Sequence, residues 1–233
     1  MKQAACGFIV TVRVSNVLSR TQFLAFGDSI TAGKISLSPM LSLAEPETYP
    51  YKLEQMLGQR YPTQDFLVLN RGVSGERTDQ GARRLPGVLD ADKPEVLLLL
   101  EGVNAVWLLS TSQQANNIRS MIMAAQERQV DVLVATVMPV AATWEADHQG
   151  SMARIRALNT RIFQMAGDLN TGPVVDLFGL FEANMALIGA DGLHPTAEGQ
   201  TRIAEAFRDE IIKRYHTSAS TMGAPFSTMK VAR

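Results

Sequence analysis

Three histidines, one cysteine and a few polar residues beside glycines carry most of the chemistry open to this 233-residue chain. His194 stands in Asp191-Gly192-Leu193-His194-Pro195, where the glycine permits a tight turn that folds the acid back onto the ring. A carboxylate so placed fixes the imidazole tautomer through one nitrogen and leaves the other to accept a proton. The spacing alone says little, because Glu145 also lies three residues before His148. No glycine separates that second pair, so His148 reads as a surface-loop histidine and Glu145 and Asp147 as solvated acids. Ser29, in Gly27-Asp28-Ser29-Ile30, is either an exposed nucleophile or a helix N-cap. Its glycines do not have the offsets of a G-x-S-x-G elbow. Asn70-Arg71-Gly72-Val73-Ser74-Gly75 is either a simple tight turn or a place where backbone N–H groups face a ligand. Asn104, in Glu101-Gly102-Val103-Asn104, is either a partner for loop backbone or a neutral donor for a developing oxyanion.

Each of these groups follows an apolar run. Residues 22–26, 65–69, 95–100, 131–140 and 173–177 read as strands, the third of them (EVLLLL) as a strand buried on both faces. Between them, residues 47–60, 78–89, 113–128 and 197–215 carry apolar positions at helical spacing. A further helix carries the stripe Ile155, Leu158, Ile162, Met165 and Leu169, and Pro86 is expected to shorten or kink the helix that contains it. Strands alternating with helices mean βαβ units, hence an α/β fold with a mostly parallel sheet covered on both faces. Ligands of such sheets bind outside the carboxyl ends of the strands. A hydroxyl, a backbone N–H, a side-chain amide and an acid–base pair therefore arrive in order, each after a different strand. Together they are the parts of an acyl-transfer site.

Composition narrows the rest. Apolar residues make up 46% of the chain, enough for a full core, and 22 Lys and Arg against 23 Asp and Glu leave a net charge of −1. That balance gives no footprint for nucleic acid or an anionic membrane. A single cysteine, Cys6, excludes an internal disulfide and a Cys-rich zinc cage. No apolar run reaches the length of a membrane-spanning helix, and no G-x-G-x-x-G supports dinucleotide binding. Lys2 followed by residues 4–12 resembles a stunted leader, but Arg13 interrupts it and no A-x-A site follows; alternation at Val10, Val12 and Val14 fits a short strand equally well. The compartment and the oligomeric state stay open. The expected organisation is an extension over 1–20, one domain over 21–215 and a solvated tail over 216–233.

In its blocks the chain resembles the SGNH, or GDSL-like, hydrolase family of esterases, lipases and thioesterases. FGDSIT at 26–31, NRGVSG at 70–75, GVN at 102–104 and DGLHP at 191–195 follow the family's order and spacing over residues 23–215. The resemblance implies a three-layer α/β/α sandwich with a five-stranded sheet in the flavodoxin-like order 2-1-3-4-5. It implies Ser29 as nucleophile, His194 as general base and Asp191 as its orienting carboxylate. The oxyanion donors would be the N–H groups of Ser29 and Gly75 and the Asn104 amide, with no metal or cofactor. The substrate class is a small acyl ester of short to medium chain, with thioesters, lysophospholipids and sugar acetates as variants on the same site. Asp28, Trp107 and Trp144 are candidate lining residues, and the loops 34–46 and 141–150 either line an acyl pocket or pack against the sheet. Two departures stand out: Ile30 replaces the family's Leu, and Ala105 stands where Asp usually follows Asn, which removes an expected anchor of the Asn104 loop. A different reading keeps the fold without the activity, as a carbohydrate-binding protein acting through Trp107 and Trp144.

Overall fold

The computed structural model describes residues 15–34 and 43–219. The short strand β1 (Ser15–Leu18) leads into β2 (Gln22–Gly27), a one-turn helix α1 (Ser29–Ala32), a 3-10 turn at Glu45–Glu47 and α2 (Tyr49–Arg60). Then come β3 (Leu67–Gly72), α3 (Thr78–Asp92), β4 (Val96–Leu100), a 3-10 turn at Val103–Ala105, α4 (Thr111–Gln126) and β5 (Asp131–Val134). The remainder is α5 (Ala142–Asp147), α6 (Ser151–Asp168), α7 (Leu177–Glu182), a 3-10 turn at Met185–Leu187, α8 (Ala197–Tyr215) and β6 (His216–Ala219).

All five residues of β4 are buried, as are the last five of β2, which is what continuous apolar runs require of strands covered on both faces. Helix α2 packs on α8, and α3, α4 and α6 form a second row. Their inward stripes, Leu53 and Leu57 with Ile203, Phe207 and Ile211, and Ile118, Met121 and Ile122 with Ile155, Leu158 and Ile162, are fully buried. Each such side chain taken from water contributes about 1.5–3 kcal/mol before its entropy cost.

The five-stranded sheet in the order 2-1-3-4-5 is not what forms. The ladder has four parallel strands in the order β3-β2-β4-β5. The segment at 173–177 reaches it only through a single parallel bridge, Ala135 to Val175, flanked by Thr136 N–H to Val175 O and Val175 N–H to Val134 O. Just beyond, Asp176 caps α7 through the Gly179 N–H, so the chain turns into helix before a further rung can form. The strand expected at 131–140 stops at Val134, and β3 lies later than the expected 65–69. Helix α3 runs through Pro86 to Asp92. The position is half-exposed, and buried Leu85 and Leu89 on either side hold the helix across the lost hydrogen bond.

The segment expected as tail from residue 216 begins as a strand, β6, antiparallel to β1 with Leu18 opposite His216. His216 Nδ1 meets the Tyr61 hydroxyl at 2.9 Å. The leader-like residues 4–12 lie outside the described residues. Among the described residues, no helix is long and apolar enough to cross a membrane.

Sheet register positions the chemistry. Gly27 pairs with Gly72 on one side and with Leu100 on the other, so three strands end level. The segments that follow them, Asp28-Ser29, Val73-Ser74-Gly75 and Glu101 to Asn104, therefore start from one edge. Two glycines make this close approach possible. A Cβ on Gly27 would lie 1.9 Å from Leu100 O, and one on Gly72 would lie 2.2 Å from Ala32 N. No side chain fits at either position.

Candidate active site

Asp28, not Ser29, caps α1: its Oδ1 accepts the Ile30 N–H at 2.9 Å. That frees the Ser29 hydroxyl, at the first helical position, for other work. Lys34 N–H returns to Ser29 O and Ala32 N–H to Asp28 O, which fixes the turn from its far end. Asp28, expected among the lining groups, is buried beneath the turn instead. Burial pushes its carboxyl up to about 7; the Ile30 N–H opposes this and the nearby Glu76 adds to it.

The His194 turn is built from its own backbone. Asp191 Oδ1 accepts the N–H groups of Leu193 and His194, each at 3.0 Å, and Gly189 N–H donates to His194 O at 2.8 Å. Gly192 has φ +76, and a Cβ there would meet Thr143 Oγ1 at 2.4 Å and Trp144 N at 2.8 Å. The glycine thus serves both the left-handed turn and its packing against α5. Thr196 then caps α8 through the Gly199 N–H.

These two turns, 165 residues apart, meet. Ser29 Oγ lies 2.9 Å from His194 Nε2, and His194 Nδ1 lies 2.6 Å from Asp191 Oδ2. Burial raises the Asp191 carboxyl, but the two backbone N–H groups and the imidazole outweigh it and leave the group below its usual range. A hydroxyl, an imidazole and a carboxylate stand in one hydrogen-bonded line, able to relay a proton away from oxygen.

Asn104 Nδ2 donates to Glu76 O at 3.0 Å, tying the turn after β4 to the turn after β3. Gly75, with φ +76, is exposed, and neither its N–H nor that of Ser29 donates to a described residue. Ala105 is fully buried in the 3-10 turn, with its N–H on Gly102 O and its own carbonyl accepting from Leu108 and Leu109. The loop is therefore anchored by backbone and by Asn104 itself, without a carboxylate at 105.

Trp107 and Trp144, 37 residues apart, come together with His148, which stacks on Trp144 at 4.1 Å and 8° and sits 5.0 Å from Trp107. His148 is thus part of a half-buried aromatic trio beside the Gly192 turn. Glu145 is not a solvated acid: it accepts the N–H groups of Gly150 and Met152 at the start of α6. Most of the expected lining loop at 34–46 lies outside the described residues. Sequence reasoning missed Glu76, Arg84 and Glu101, which pack under the site; an acid placed directly after the doubly buried run of β4 was the signal available for Glu101. Among the described residues, no group of three or more His, Cys, Asp or Glu side chains is disposed to hold a metal ion.

Such a line of groups at the carboxyl edge of a parallel sheet is the equipment of an acyl-transfer enzyme. The chain belongs to the GDSL-like lipase/acylhydrolase family, whose family model matches residues 25–202, and is a carboxylic ester hydrolase. It is 23% identical over 200 residues to the esterase TesA of Pseudomonas aeruginosa, covering 85% of this chain and 92% of that protein. It is 24% identical over 197 residues to an arylesterase of Vibrio mimicus, covering 82% and 88%. Among solved structures, a lipase/acylhydrolase from Enterococcus faecalis matches with a TM-score of 0.72 at 22% identity, over 84% of this chain and 97% of that one. The structural likeness speaks for the fold.

Proposed function

We propose that the protein hydrolyses carboxylic esters of short to medium acyl chain through an acyl-serine intermediate on Ser29. The observation that carries this reading is the 2.9 Å contact between Ser29 Oγ and His194 Nε2, with Asp191 on the other ring nitrogen. As Oγ bonds to the carbonyl carbon, its proton passes to Nε2 and the carbonyl π electrons move onto oxygen. The oxyanion is received by the N–H groups of Ser29 and Gly75 and by the Asn104 N–H that Glu76 O leaves free. His194 then hands its proton to the departing alkoxide as the ester C–O bond breaks, takes one from the water whose oxygen adds to the acyl carbon, and returns it to Ser29 Oγ as the second tetrahedral species collapses and releases the acid.

Trp107, Trp144 and His148 cluster beside the Gly192 turn, an apolar surface close to the proposed site that supports an acyl substrate. The test is a series of p-nitrophenyl esters from acetate to palmitate, assayed with the wild type and Ser29→Ala. The reading expects highest kcat/KM from acetate to octanoate and a fall in kcat of about three decades or more in the variant. Hydrolysis of none of the series, with a sugar ligand bound at Trp107 and Trp144, would replace it with the carbohydrate-binding reading.

A further inference from the structure

Glu101 follows directly on β4 and is 2% exposed, yet neither carboxyl oxygen has a hydrogen-bond partner among the described residues. The Gly102 N–H offers a weak electrostatic pull towards the charged form without making a hydrogen bond. Its surroundings oppose a charge further. Asp28, at the end of β2, is 1% exposed and Glu76, after β3, is 5% exposed, so three successive strand ends each deliver a carboxyl group beneath the site. One guanidinium serves them. Arg84 of α3 holds Glu76 at both oxygens, Nε to Oε1 at 2.7 Å and Nη2 to Oε2 at 2.5 Å, with its plane over Phe26. That pair balances itself.

Two carboxyl groups remain, and among the described residues no further cation pairs with them. Asp28 has the Ile30 N–H to support a negative charge, and Glu101 has no comparable donor. Tyr49 of α2 is a further ionisable group beside Asp28: its hydroxyl meets Thr31 Oγ1 at 3.3 Å and feels the Asp28 charge. A buried carboxylate with neither cation nor donor sheds its charge rather than bear the desolvation. In keeping with this, burial, then the charges of Asp28 and Glu76, push the Glu101 carboxyl well above its usual range against the weaker pull of Arg84.

We propose that Glu101 works as a neutral carboxylic acid and a positioning residue, holding the turns of Ser29 and Asn104 together by not placing a second uncompensated charge beneath them. Asp28 caps the Ser29 turn, Glu76 O anchors Asn104, and Glu101 leads into the Gly102 bend that carries Asn104. Ionising Glu101 sets it against both other acids at once. The two turns then separate, and the site fails from the alkaline side. The catalytic half of this inference rests on the acyl-serine reading.

Three measurements on the full chain test it. In wild type labelled with ¹³C at the Glu carboxyl, the resonance missing from Glu101→Gln should still be protonated at neutral pH. Because the folded group is raised above its unfolded value, it erodes stability as pH climbs from that unfolded value toward the folded one. Glu101→Gln should flatten that slope in thermal unfolding between pH 5 and 9, leaving the share that Asp28 contributes below about pH 7. The rate at which a fluorophosphonate labels Ser29 should fall on the alkaline side in wild type and hold in the variant. An ionised Glu101 at neutral pH, or parallel stability and labelling profiles in the two proteins, would overturn the proposal. Absence of labelling in wild type would instead refute the acyl-serine reading, while the resonance and the unfolding curves still decide the state of Glu101.

Discussion

The Asn104 amide and the Glu76 carbonyl oxygen are joined at 3.0 Å across 28 residues of chain, so one side chain ties its own loop to the turn after β3, and in the proposed reaction its second N–H serves the oxyanion. Asn104→Ala removes both functions. We expect kcat on a butyrate ester to fall by about 10²–10³, the usual loss for one oxyanion donor. Asn104→Asp should do no better, because it brings a charge where donors are needed. A loss of less than tenfold in Asn104→Ala would remove this residue from the oxyanion site.

Ala105 is fully buried in the turn that carries Asn104, so a carboxylate at this position would be taken out of water. Restoring the family's residue with Ala105→Asp should therefore destabilise the fold by roughly 2–4 kcal/mol, the cost of burying an unpaired polar group. Urea denaturation measures it. An unchanged or higher midpoint would mean that the loop accepts the acid and that the sequence-level concern about position 105 was sound.

Ser29, Asp191 and His194 were legible from the order of the four blocks and their resemblance to a known family, since each short motif alone also had a plain structural reading, and the close approaches of Gly27 and Gly192 are to distant segments. Strands β2 and β4 were legible as continuous apolar runs. The edges were not. β3 includes the polar residues Asn70 and Arg71, and its extent follows pairing with β2 rather than its own pattern. The apolar run at 173–177 looked like a fifth strand, yet its pairing depends on how α7 starts at Asp176. Glu76 on Asn104, and His148 between two tryptophans, are contacts between distant segments, for which no periodicity gives a sign.

The two histidines with an acid three residues earlier now separate by geometry. His194 meets Ser29, whereas His148 places Nδ1 3.2 Å from the Trp144 carbonyl oxygen and stacks on that indole. We expect His194→Ala to lose about three decades or more in kcat. His148→Ala should stay within a few-fold in kcat and lose about 0.5–1.5 kcal/mol of stability with its stacking. Steady-state kinetics beside thermal unfolding distinguishes them, and an inactive His148→Ala that remains folded would contradict the assignment.

Asp191 holds its carboxyl below the usual range, so its ionised form stabilises the native state. That contribution is complete above the ordinary aspartate value, near pH 4, and is lost as pH falls through the lower native value. Asp191→Asn should lower the melting temperature at neutral pH and lose less than wild type on acidification. Melting curves between pH 7 and pH 3 check this, and a gap between the two proteins that widens in acid would reverse the sign.

The most direct test of the central claim is where a fluorophosphonate bonds. Intact mass and peptide mapping of the treated wild-type chain should show one phosphonyl adduct, on the peptide bearing Ser29, and none in His194→Ala over the same time. An adduct on exposed Ser74 in place of Ser29, or labelling of His194→Ala at the wild-type rate, would contradict the account.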